Sequence, residues 1–427
     1  MRSFSSHDST GFWIFMNHSK AQSNRSSDGR PDKNSQRPLT IGFMTVKGIS
    51  LGGGIESVTE RLGSRLVQRG HRVVVFSASQ FGSKTGYYKG MEIRVCPSIL
   101  QKHLHKITLF SSAMFPLIFK TALRSISMRF AASSSPHAEF DILHIHEFSL
   151  FSFFPRLVGI PTVVQMHALL WKRAKWGPLS RLFLKVNDYT LGTFPCAVTC
   201  VSKTMKEHFE KTLGREVTYI PNGVEPPTPK APDHIKTLGL NGDDYVLFAA
   251  RLVPEKGAHY LIEAFLKVNP PLKLVVAGDD PFEKDYIRTL HLLGQKNEKI
   301  LFPGYVSGDA YLELITNAAL FVLPSEIEGM PVALLEAMSY GKCCIVSDIP
   351  ENVEALNGNG FLFSNKSVDD LAGALHRAIQ DKDSAKQLGK QAQEYVLTEY
   401  SWDRIVGLYE DFYRRVIAQE QRRRTRS

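Results

Sequence analysis

Two glutamates in the second half of the sequence interrupt an otherwise apolar segment. Glu328 and Glu336 lie eight positions apart in "PSEIEGMPVALLEAMSYGK" (324–342). Pro331 suits the first position of a helix and Gly341 the residue just past its end. Because helical side chains lean back toward the N-terminus, both carboxylates can face one pocket. Carboxylates accept paired hydrogen bonds from sugar or ribose hydroxyls, so the segment predicts such a site, with two solvated acids as the alternative.

Two cations follow an earlier strand-like run in the same half of the chain. Arg251 and Lys256 lie five positions apart in "RLVPEKG" (251–257), around a proline turn. The arginine can bind a diphosphate through its forked guanidinium and the lysine as a point charge. A basic loop is also commonly just solvated, so this segment is only suggestive by itself.

A glycine triplet and three histidines lie in the first half of the chain. Gly52, Gly53 and Gly54 leave backbone N–H groups able to approach a phosphate or an acceptor closely, although such triplets also form ordinary loops. The dinucleotide fingerprint GxGxxG is absent. His144, His146 and His167 lie at the ends of two strands that we expect to be neighbours, which makes a structural and a functional role about equally plausible for the histidines.

The elements that must position these residues alternate between strands and helices. "LTIGFMTV" (39–46), "HRVVVFSA" (71–78) and "FDILHIH" (140–146) are three of the early strand-like runs, and "IESVTERLGSRLVQRG" between the first two has helical periodicity. The alternation restarts after the Pro- and Gly-rich "VTYIPNGVEPPTP" with "YVLFAARL" (245–252). This pattern predicts an α/β protein with two doubly wound Rossmann-like domains that face a cleft, with ligands at the carboxyl ends of the strands.

Charge and composition narrow the class of protein. Residues 38–220 carry 23 Lys/Arg against 10 Asp/Glu, whereas residues 221–413 carry 17 against 28. The segment 97–187 is basic and amphipathic, which predicts either contact with an anionic membrane surface or an ordinary helix with its cations in water. No RNA- or DNA-binding motif accompanies the charge, so we expect no nucleic-acid partner. No apolar run reaches the ~18 residues of a membrane span.

The remaining composition gives an expected compartment. The five cysteines form no metal-binding spacing, and their number is odd. Both features favour reduced thiols and a cytoplasmic protein, with peripheral binding at the cytoplasmic face of the membrane as an option.

These motifs together resemble a known enzyme family. "GGGIESVTERLGSRLVQRGHRVVVF", "FDILHIHEF", "YIPNGVE", "FAARLVPEKG", "LVVAGD" and "LPSEIEGMPVALLEAMSYGKCCIVSDIPE" are similar to the retaining glycosyltransferases that include phosphatidylinositol mannosyltransferases and sucrose synthases. The resemblance covers about residues 38–415 and implies a GT-B fold. It implies transfer of a sugar, without metal or other cofactor, from a UDP- or GDP-activated donor to a glycan or lipid-linked acceptor.

The resemblance also implies roles for individual residues on the donor side. Glu328 would hold the donor sugar and Glu336 the ribose, while Arg251 and Lys256 would neutralise the leaving diphosphate. The remaining donor-side residues would be Gly53 and Gly54 at the phosphates and Gly329, Met330 and Pro331 in the donor loop.

The resemblance also implies roles for four residues on the acceptor side. His146 would line the sugar pocket near the attacking hydroxyl. His144, His167 and Glu56 are weaker acceptor-side candidates.

Composition and the resemblance together predict an organisation in five parts. They are a disordered arm (1–37), an acceptor domain (38–220), a nucleotide-sugar domain (221–395), a helix crossing back to the first domain (396–418) and a basic tail (419–427). Two features depart from the family pattern: "DPFEKDY" follows "AGD" where many members have Gly-x-Gly-Pro, and "SDIPENVEA" lacks a common glycine pair. Another GT-B enzyme, such as a phosphorylase or an epimerase, and a catalytically silent sugar- or nucleotide-binding scaffold subunit remain alternatives.

Overall fold

Each strand-like run of the sequence forms a β-strand, and the strands assemble into two separate sheets. The structure is a computed structural model that describes residues 37–49, 54–81, 84–99, 105–130, 139–150, 152–172 and 177–426. The predicted N-terminal arm therefore lies outside the described residues, apart from Arg37. The α/β class and the two doubly wound sheets are confirmed.

The first sheet has eight strands in the order β3-β4-β2-β1-β5-β6-β7-β8, and all neighbours are parallel except β3 and β4. We call this sheet and its helices the first lobe. Its strands are β1 (Thr40–Val46), β2 (Arg72–Ala78), β3 (Gly86–Tyr88), β4 (Met91–Cys96), β5 (Ile142–His146), β6 (Thr162–Met166), β7 (Ala197–Cys200) and β8 (Thr218–Tyr219).

The second sheet has six parallel strands in the order β11-β10-β9-β12-β13-β14. We call this sheet and its helices the second lobe. Its strands are β9 (Tyr245–Ala249), β10 (Lys273–Ala277), β11 (Ile300–Gly304), β12 (Leu320–Leu323), β13 (Cys343–Ser347) and β14 (Phe361–Phe363).

Thirteen α-helices of the described residues connect and cover these strands. In the first lobe they are α1 (Gly54–Gln68), α2 (His105–Phe130), α3 (Phe153–Leu157), α4 (Pro178–Thr190) and α5 (Lys203–Leu213). In the second lobe they are α6 (Ala258–Val268), α7 (Lys284–Gly294), α8 (Gly308–Asn317), α9 (Val332–Ser339), α10 (Pro350–Leu356), α11 (Val368–Gln380) and α12 (Lys382–Glu399), and α13 (Trp402–Arg426) ends the chain.

Alternate residues of each strand pack into cores on opposite faces of the sheet, as the two-residue period of a strand requires. In β2, Val73 and Val75 join the cluster that contains α1 and α13, whereas Val74 and Phe76 join the cluster that contains α2. Both faces of the central strands are therefore buried, which explains their continuous apolar sequences.

The last helix belongs to the core of the first lobe although it follows the second lobe in the chain. Tyr409, Phe412 and Tyr413 are almost fully buried beside α1, β1 and β5. Gly223 lies so close to Trp402 that a Cβ there would approach the indole ring to 2.4 Å. The predicted basic tail is part of this helix, which continues to Arg426.

Two further expectations concern cysteines and membrane spans. All five cysteines are free thiols. Among the described residues, no helix combines the length and the apolar character needed to cross a membrane.

Candidate functional site

Two loops at the carboxyl ends of β9 and β12 carry the predicted phosphate and sugar residues. The β9 loop contains Arg251 and Lys256, and the β12 loop contains Glu328. Gly257 ends the first loop at φ +71°, and a Cβ there would lie 2.1 Å from the carbonyl oxygen of Pro324. Glycine therefore allows the two loops to lie in direct contact, which brings their charged side chains together.

Lys256 and Glu328 form a close ion pair inside this loop junction. Lys256 Nζ lies 2.5 Å from Glu328 Oε1, and their side chains are only 18% and 8% exposed. A buried pair of this kind neutralises the carboxylate that the protein has removed from water. Arg251 is about half exposed and reaches Asp280 at 3.6 Å, so its guanidinium remains open to a ligand.

Glu336 lies in α9, one helix turn beyond the loop, and is held from both lobes. Its Oε2 accepts a hydrogen bond of 3.1 Å from the hydroxyl of Tyr311, a residue of α8. Its Oε1 lies 3.4 Å from Nη2 of Arg61, a residue of α1 in the first lobe. Burial and the nearby carboxylate raise the pKa of Tyr311 well above its usual value, so the phenol stays a donor.

A cavity of about 270 Å³ joins these residues to the first lobe. Its lining includes Gly54 from the first lobe and Arg251, Lys256, Glu328 and Met330 from the second. Pro331 and the first residues of α9 complete the wall on one side. The structure thus brings six of the predicted donor-side residues to one cavity. Glu336 and Gly329 lie beyond this lining, and Gly53 lies outside the described residues.

A larger cavity of about 500 Å³ lies elsewhere in the first lobe. It is lined by Ile160 and Cys196, which precede β6 and β7, and by Arg156 and Glu420. It therefore opens at the amino ends of these strands, the edge opposite the predicted site.

The loop that carries Glu328 also touches the first lobe directly. A Cβ at Gly329 would lie 1.7 Å from the carbonyl oxygen of His167. Next to it, the Sδ of Met330 accepts a hydrogen bond of 3.2 Å from the backbone N–H of Asn222. Gly329 and Met330 therefore fit the donor loop against the end of β6 and the segment between the lobes.

His146 is fully buried and hydrogen-bonded at both ring nitrogens. The Thr59 hydroxyl donates to the carbonyl of Ile55 at 2.8 Å, so it accepts from Nε2 of His146 at 3.0 Å. In the neutral ring Nδ1 is then an acceptor, and Nε2 of His167 donates to it at 3.0 Å. His167 is partly exposed beside the donor loop, so of the three candidate histidines it is the one that is not fully buried.

His144 lies in the core of the first lobe rather than in the cleft. Its ring nitrogens lie 2.6 Å from the Tyr413 hydroxyl and 2.9 Å from Oε1 of Gln165. Burial, aided by the nearby His167, lowers the pKa of His144 to about 3. The ring is therefore neutral at neutral pH and joins α13 to β5 and β6.

Glu56, the remaining acceptor-side candidate, is also buried. Its Oε1 accepts a hydrogen bond of 3.2 Å from the backbone N–H of Lys47, and the whole residue is 6% exposed. This contact ties the start of α1 to the end of β1. In this structure the Glu56 carboxylate therefore has a structural contact rather than an open position in the cleft.

Several residues of the site were not identified from the sequence. Arg61, Thr59 and Tyr311 reach the predicted residues from other elements. Gly54 and Arg61 are seven positions apart, which places them on one face of a helix after about two turns. That spacing is the one signal in the sequence that could have pointed to Arg61. Over the described part of the chain, no cluster of three or more His, Cys, Asp or Glu could hold a metal ion.

Comparisons with known proteins agree with this arrangement. Residues 52–227 match the family described as Glycosyltransferase Family 4, and residues 231–395 match Glycosyl transferases group 1. An uncharacterized glycosyltransferase of Methanocaldococcus jannaschii is 31% identical over 49% of this chain, and the match spans 57% of that protein, less than two thirds of its length.

Two more similarities extend over longer parts of the chains. A GDP-mannose-dependent alpha-(1-6)-phosphatidylinositol monomannoside mannosyltransferase of Mycobacterium tuberculosis is 27% identical over 58% of this chain and 73% of its own. The structure of sucrose-phosphate synthase from Thermosynechococcus elongatus superimposes with a TM-score of 0.71 at 19% identity, covering 89% of this chain and 100% of that one. The predicted GT-B fold is confirmed.

Proposed function

We propose that this chain, a GT-B glycosyltransferase built from a family 4 domain and a group 1 domain, transfers a sugar with retention from a nucleotide-sugar without a metal ion. The observation that supports this most directly is the cavity shared by Gly54, Arg251, Lys256 and Glu328. It combines cations for a diphosphate with a carboxylate for sugar hydroxyls, at the strand ends where such sheets bind ligands. A silent scaffold subunit would have no need for that combination.

The charged residues have separate roles in the proposed reaction. Arg251 and Lys256 stabilise the negative charge that develops on the departing diphosphate, which lowers the barrier to bond cleavage. Glu328 accepts hydrogen bonds from the hydroxyls of the donor sugar, and Glu336 accepts them from the ribose. Lys256 and Glu328 are paired in this structure. We therefore expect the bound donor to have its diphosphate beside Lys256 and its sugar beside Glu328.

Retention follows if the acceptor attacks from the side on which the nucleotide leaves. An oxygen of the leaving diphosphate is then close enough to take the proton of the attacking hydroxyl. His167 is partly exposed, and its carbonyl group lies against Gly329 of the donor loop. We assign its side chain to the donor sugar, with His146 keeping the ring in place through the hydrogen bond between them. This assigns to His167 the contact that the sequence motif suggested for His146.

The acceptor we propose is a glycan carried on a lipid, at the cytoplasmic face of an anionic membrane. The argument rests on α4, which buries two polar residues and exposes several apolar ones beside its cations. Asn187 and Asp188 are buried, whereas Leu179, Leu182 and Tyr189 are 80%, 58% and 65% exposed. An isolated soluble protein gains nothing from that arrangement, whereas an interfacial helix does.

The exposed apolar residues of α4 continue onto neighbouring elements. The ring of Phe183 on α4 lies 6.3 Å from that of Phe148, which lies 6.4 Å from that of Phe110 on α2. On α2, Phe115 and Phe119 are about two thirds exposed. We call the exposed apolar residues of α2 and α4 the apolar face: Phe115, Phe119, Leu179, Leu182, Phe183, Val186 and Tyr189.

Basic residues surround the apolar face, and it lies near the cleft. Lys172, Arg181 and Lys185 are exposed, and Lys185 Nζ lies 5.0 Å from the centre of the Trp171 ring. Cations beside aromatic rings suit anionic headgroups above an acyl boundary. Asn187 also donates to the backbone of Glu147, the residue after His146, so α4 is attached to the cleft. Part of the predicted membrane segment, including residues 173–176, lies outside the described residues.

The proposed reaction is tested first by thermal melting with nucleotides. We expect UDP or GDP, or their sugars, to raise the melting temperature at millimolar concentration without added metal, because a ligand that binds only the folded state stabilises it. Glu336→Ala should abolish the rise. Lys256→Ala should lower turnover by at least ~100-fold while changing the melting temperature of the free protein far less. No rise with any nucleotide, or normal turnover by Lys256→Ala, would contradict the assignment.

A further inference from the structure

Arg61 belongs to the first lobe, yet its side chain reaches Glu336 of the second lobe. It lies on α1, on the same helix face as Gly54, which lines the cavity. A helical arginine leans back toward the N-terminus of its helix, and here that direction is toward the cavity. The side chain is about one quarter exposed, so it is held between the lobes rather than free in solvent.

The guanidinium of Arg61 lies between two carboxylates. Its Nη2 is 3.4 Å from Glu336 Oε1, and its Nε is 3.6 Å from Glu225 Oε1. Glu225, on the segment between the lobes, is fixed in turn by Nη2 of Arg65 at 2.6 Å. The planar guanidinium presents its N–H donors in fixed directions, so the two carboxylates together hold Arg61 in one orientation.

The two oxygens of Glu336 therefore have donors from different parts of the molecule. Arg61 of the first lobe engages Oε1, and Tyr311 of the second lobe engages Oε2. A carboxylate has about four acceptor positions, so each oxygen can still accept one further hydrogen bond. The Glu336 side chain is 20% exposed, which leaves it accessible to a ligand.

We propose that Arg61 is a positioning residue that holds Glu336 in the orientation needed to bind the two ribose hydroxyls of the donor. The inference rests on the proposed role of Glu336 as the ribose acceptor. Tyr311 and Arg61 fix the plane of the carboxylate, and the remaining lone pairs face the hydroxyls at positions 2′ and 3′. Since Arg61 comes from the first lobe, the ribose site is complete only when the two lobes are together.

The test compares a ribonucleotide with its 2′-deoxy analogue. Dissociation constants are measured by calorimetry for the nucleoside diphosphate that stabilises the protein and for the same compound without the 2′-hydroxyl. In the wild type we expect a preference for the ribonucleotide on the order of tenfold, as for a hydrogen bond to a charged group. In Arg61→Met the preference should fall to about twofold or less, because the carboxylate is no longer held for the diol.

Matched variants separate this role from a general effect on folding. Arg69→Met removes a cation just beyond the end of α1 that contacts Glu410 and the backbone of Asp403 rather than Glu225 or Glu336, so it should keep the wild-type preference. Tyr311→Phe removes one oxygen atom and the other contact to Glu336, and it should reduce the preference as Arg61→Met does. It also provides a second measurement if Arg61→Met folds poorly.

Two results would overturn the inference. In one, Arg61→Met and Tyr311→Phe retain the wild-type preference. In the other, Arg61→Met binds both nucleotides more tightly, which would mean that Arg61 competes with the ligand for Glu336. If the wild type binds no nucleotide, the proposed function itself fails. If it binds both nucleotides equally and Glu336→Gln changes nothing, only the ribose role of Glu336 and this inference fail.

Discussion

At the scale of single residues, the histidine cluster shows how burial decides chemistry. His144 and His146 alternate along β5 and share the side of the sheet that meets α13 and α1. The ring centroids of the two residues are 4.7 Å apart. His144 is bound to Gln165 and Tyr413, deep in the core, whereas His146 bonds to His167 at the cleft. The two imidazoles can therefore differ in function although they are close together, because the hydrogen bond from His146 leads to the cleft and those of His144 lead into the core.

The buried His144 should make the stability of the protein depend on pH. Its pKa is lowered to about 3, below the ~6.5 of an unfolded histidine. As pH falls below ~6.5, the unfolded state binds a proton that the folded state does not. The free energy of unfolding should then drop by ~1.4 kcal/mol per pH unit until the folded pKa is reached, whereas above pH ~6.5 this contribution is complete.

The measurement is urea unfolding between pH 4.5 and 8 for the wild type and for His144→Gln. The variant should be less stable at pH 8, where its packing is altered, but its stability should fall less steeply in acid. Asp188, whose pKa burial raises to about 7, gives the opposite slope, because its folded state keeps a proton that the unfolded state loses as pH rises. Both proteins contain Asp188, so it cancels in the difference. If the free energy of unfolding fell equally steeply with acid in the wild type and in His144→Gln, the prediction would be wrong.

The donor-side residues could be predicted from the sequence because they lie in short contiguous motifs. Glu328, Met330 and Glu336 belong to one loop and helix, and Arg251 and Lys256 to another loop. By contrast, Arg61 meets Glu336 across 275 positions of sequence, and no local pattern reports a contact of that kind. The choice among the histidines also depended on depth, which alternation along a strand does not reveal.

At the scale of elements, the loop from β12 to α9 is positioned by one glycine. A Cβ at Gly329 would lie 1.7 Å from the carbonyl oxygen and 2.8 Å from the carbonyl carbon of His167. Those atoms are backbone, so they cannot turn aside as a flexible side chain would. The two lobes can come this close only because the loop has no side chain at this point.

Gly329→Ala should separate the donor loop from the first lobe. We expect a loss of ~1–3 kcal/mol in the free energy of unfolding, typical of overpacking, and a loss of the thermal stabilisation by nucleotide. Gly373→Ala is the control, because position 373 lies within α11 and a Cβ there would meet only Arg377 at 3.5 Å. Alanine also favours helix, so this control should melt no lower than the wild type. If Gly329→Ala retained both its stability and its response to nucleotide, the close contact would be unimportant.

The sequence predicted the long buried strands better than the short edge strands. Apolar runs such as β9 and β12 are buried along their whole length, and turn residues limit them on both sides. The short β3, β8 and β14 contain only two or three residues, too few for a period to appear. The orientation of α4 was also unpredictable, because an amphipathic pattern does not state which side faces the core.

At the scale of the whole molecule, charge and apolar surface are concentrated in the first lobe. Residues 38–220 have 13 more basic than acidic residues, counted as 23 against 10, whereas residues 221–413 have 11 fewer, counted as 17 against 28. An anionic surface would attract the first lobe and repel the second. The molecule would therefore bind such a surface through the apolar face and keep its nucleotide site in water.

Changing the apolar face should abolish binding to anionic vesicles. We expect the wild type to sediment with vesicles of phosphatidylcholine and phosphatidylglycerol more than with phosphatidylcholine alone, and less so as salt rises, because headgroup attraction is screened within ~10 Å at 0.1 M salt. The double variant Leu179→Asp and Leu182→Asp should remain in solution, because it places two acids where α4 meets the headgroups. These side chains are largely exposed, so the fold and the response to nucleotide should be retained.

A control in the other lobe shows whether the effect belongs to the apolar face. Leu292 lies on α7 of the second lobe and is 59% exposed, comparable with Leu182. Leu292→Asp adds a negative charge at a similarly exposed leucine, yet it should leave vesicle binding unchanged. If both variants lost binding equally, overall charge would explain the result. If neither did, α4 would have to be exposed for another reason, and the proposed lipid-linked acceptor would lose its structural support.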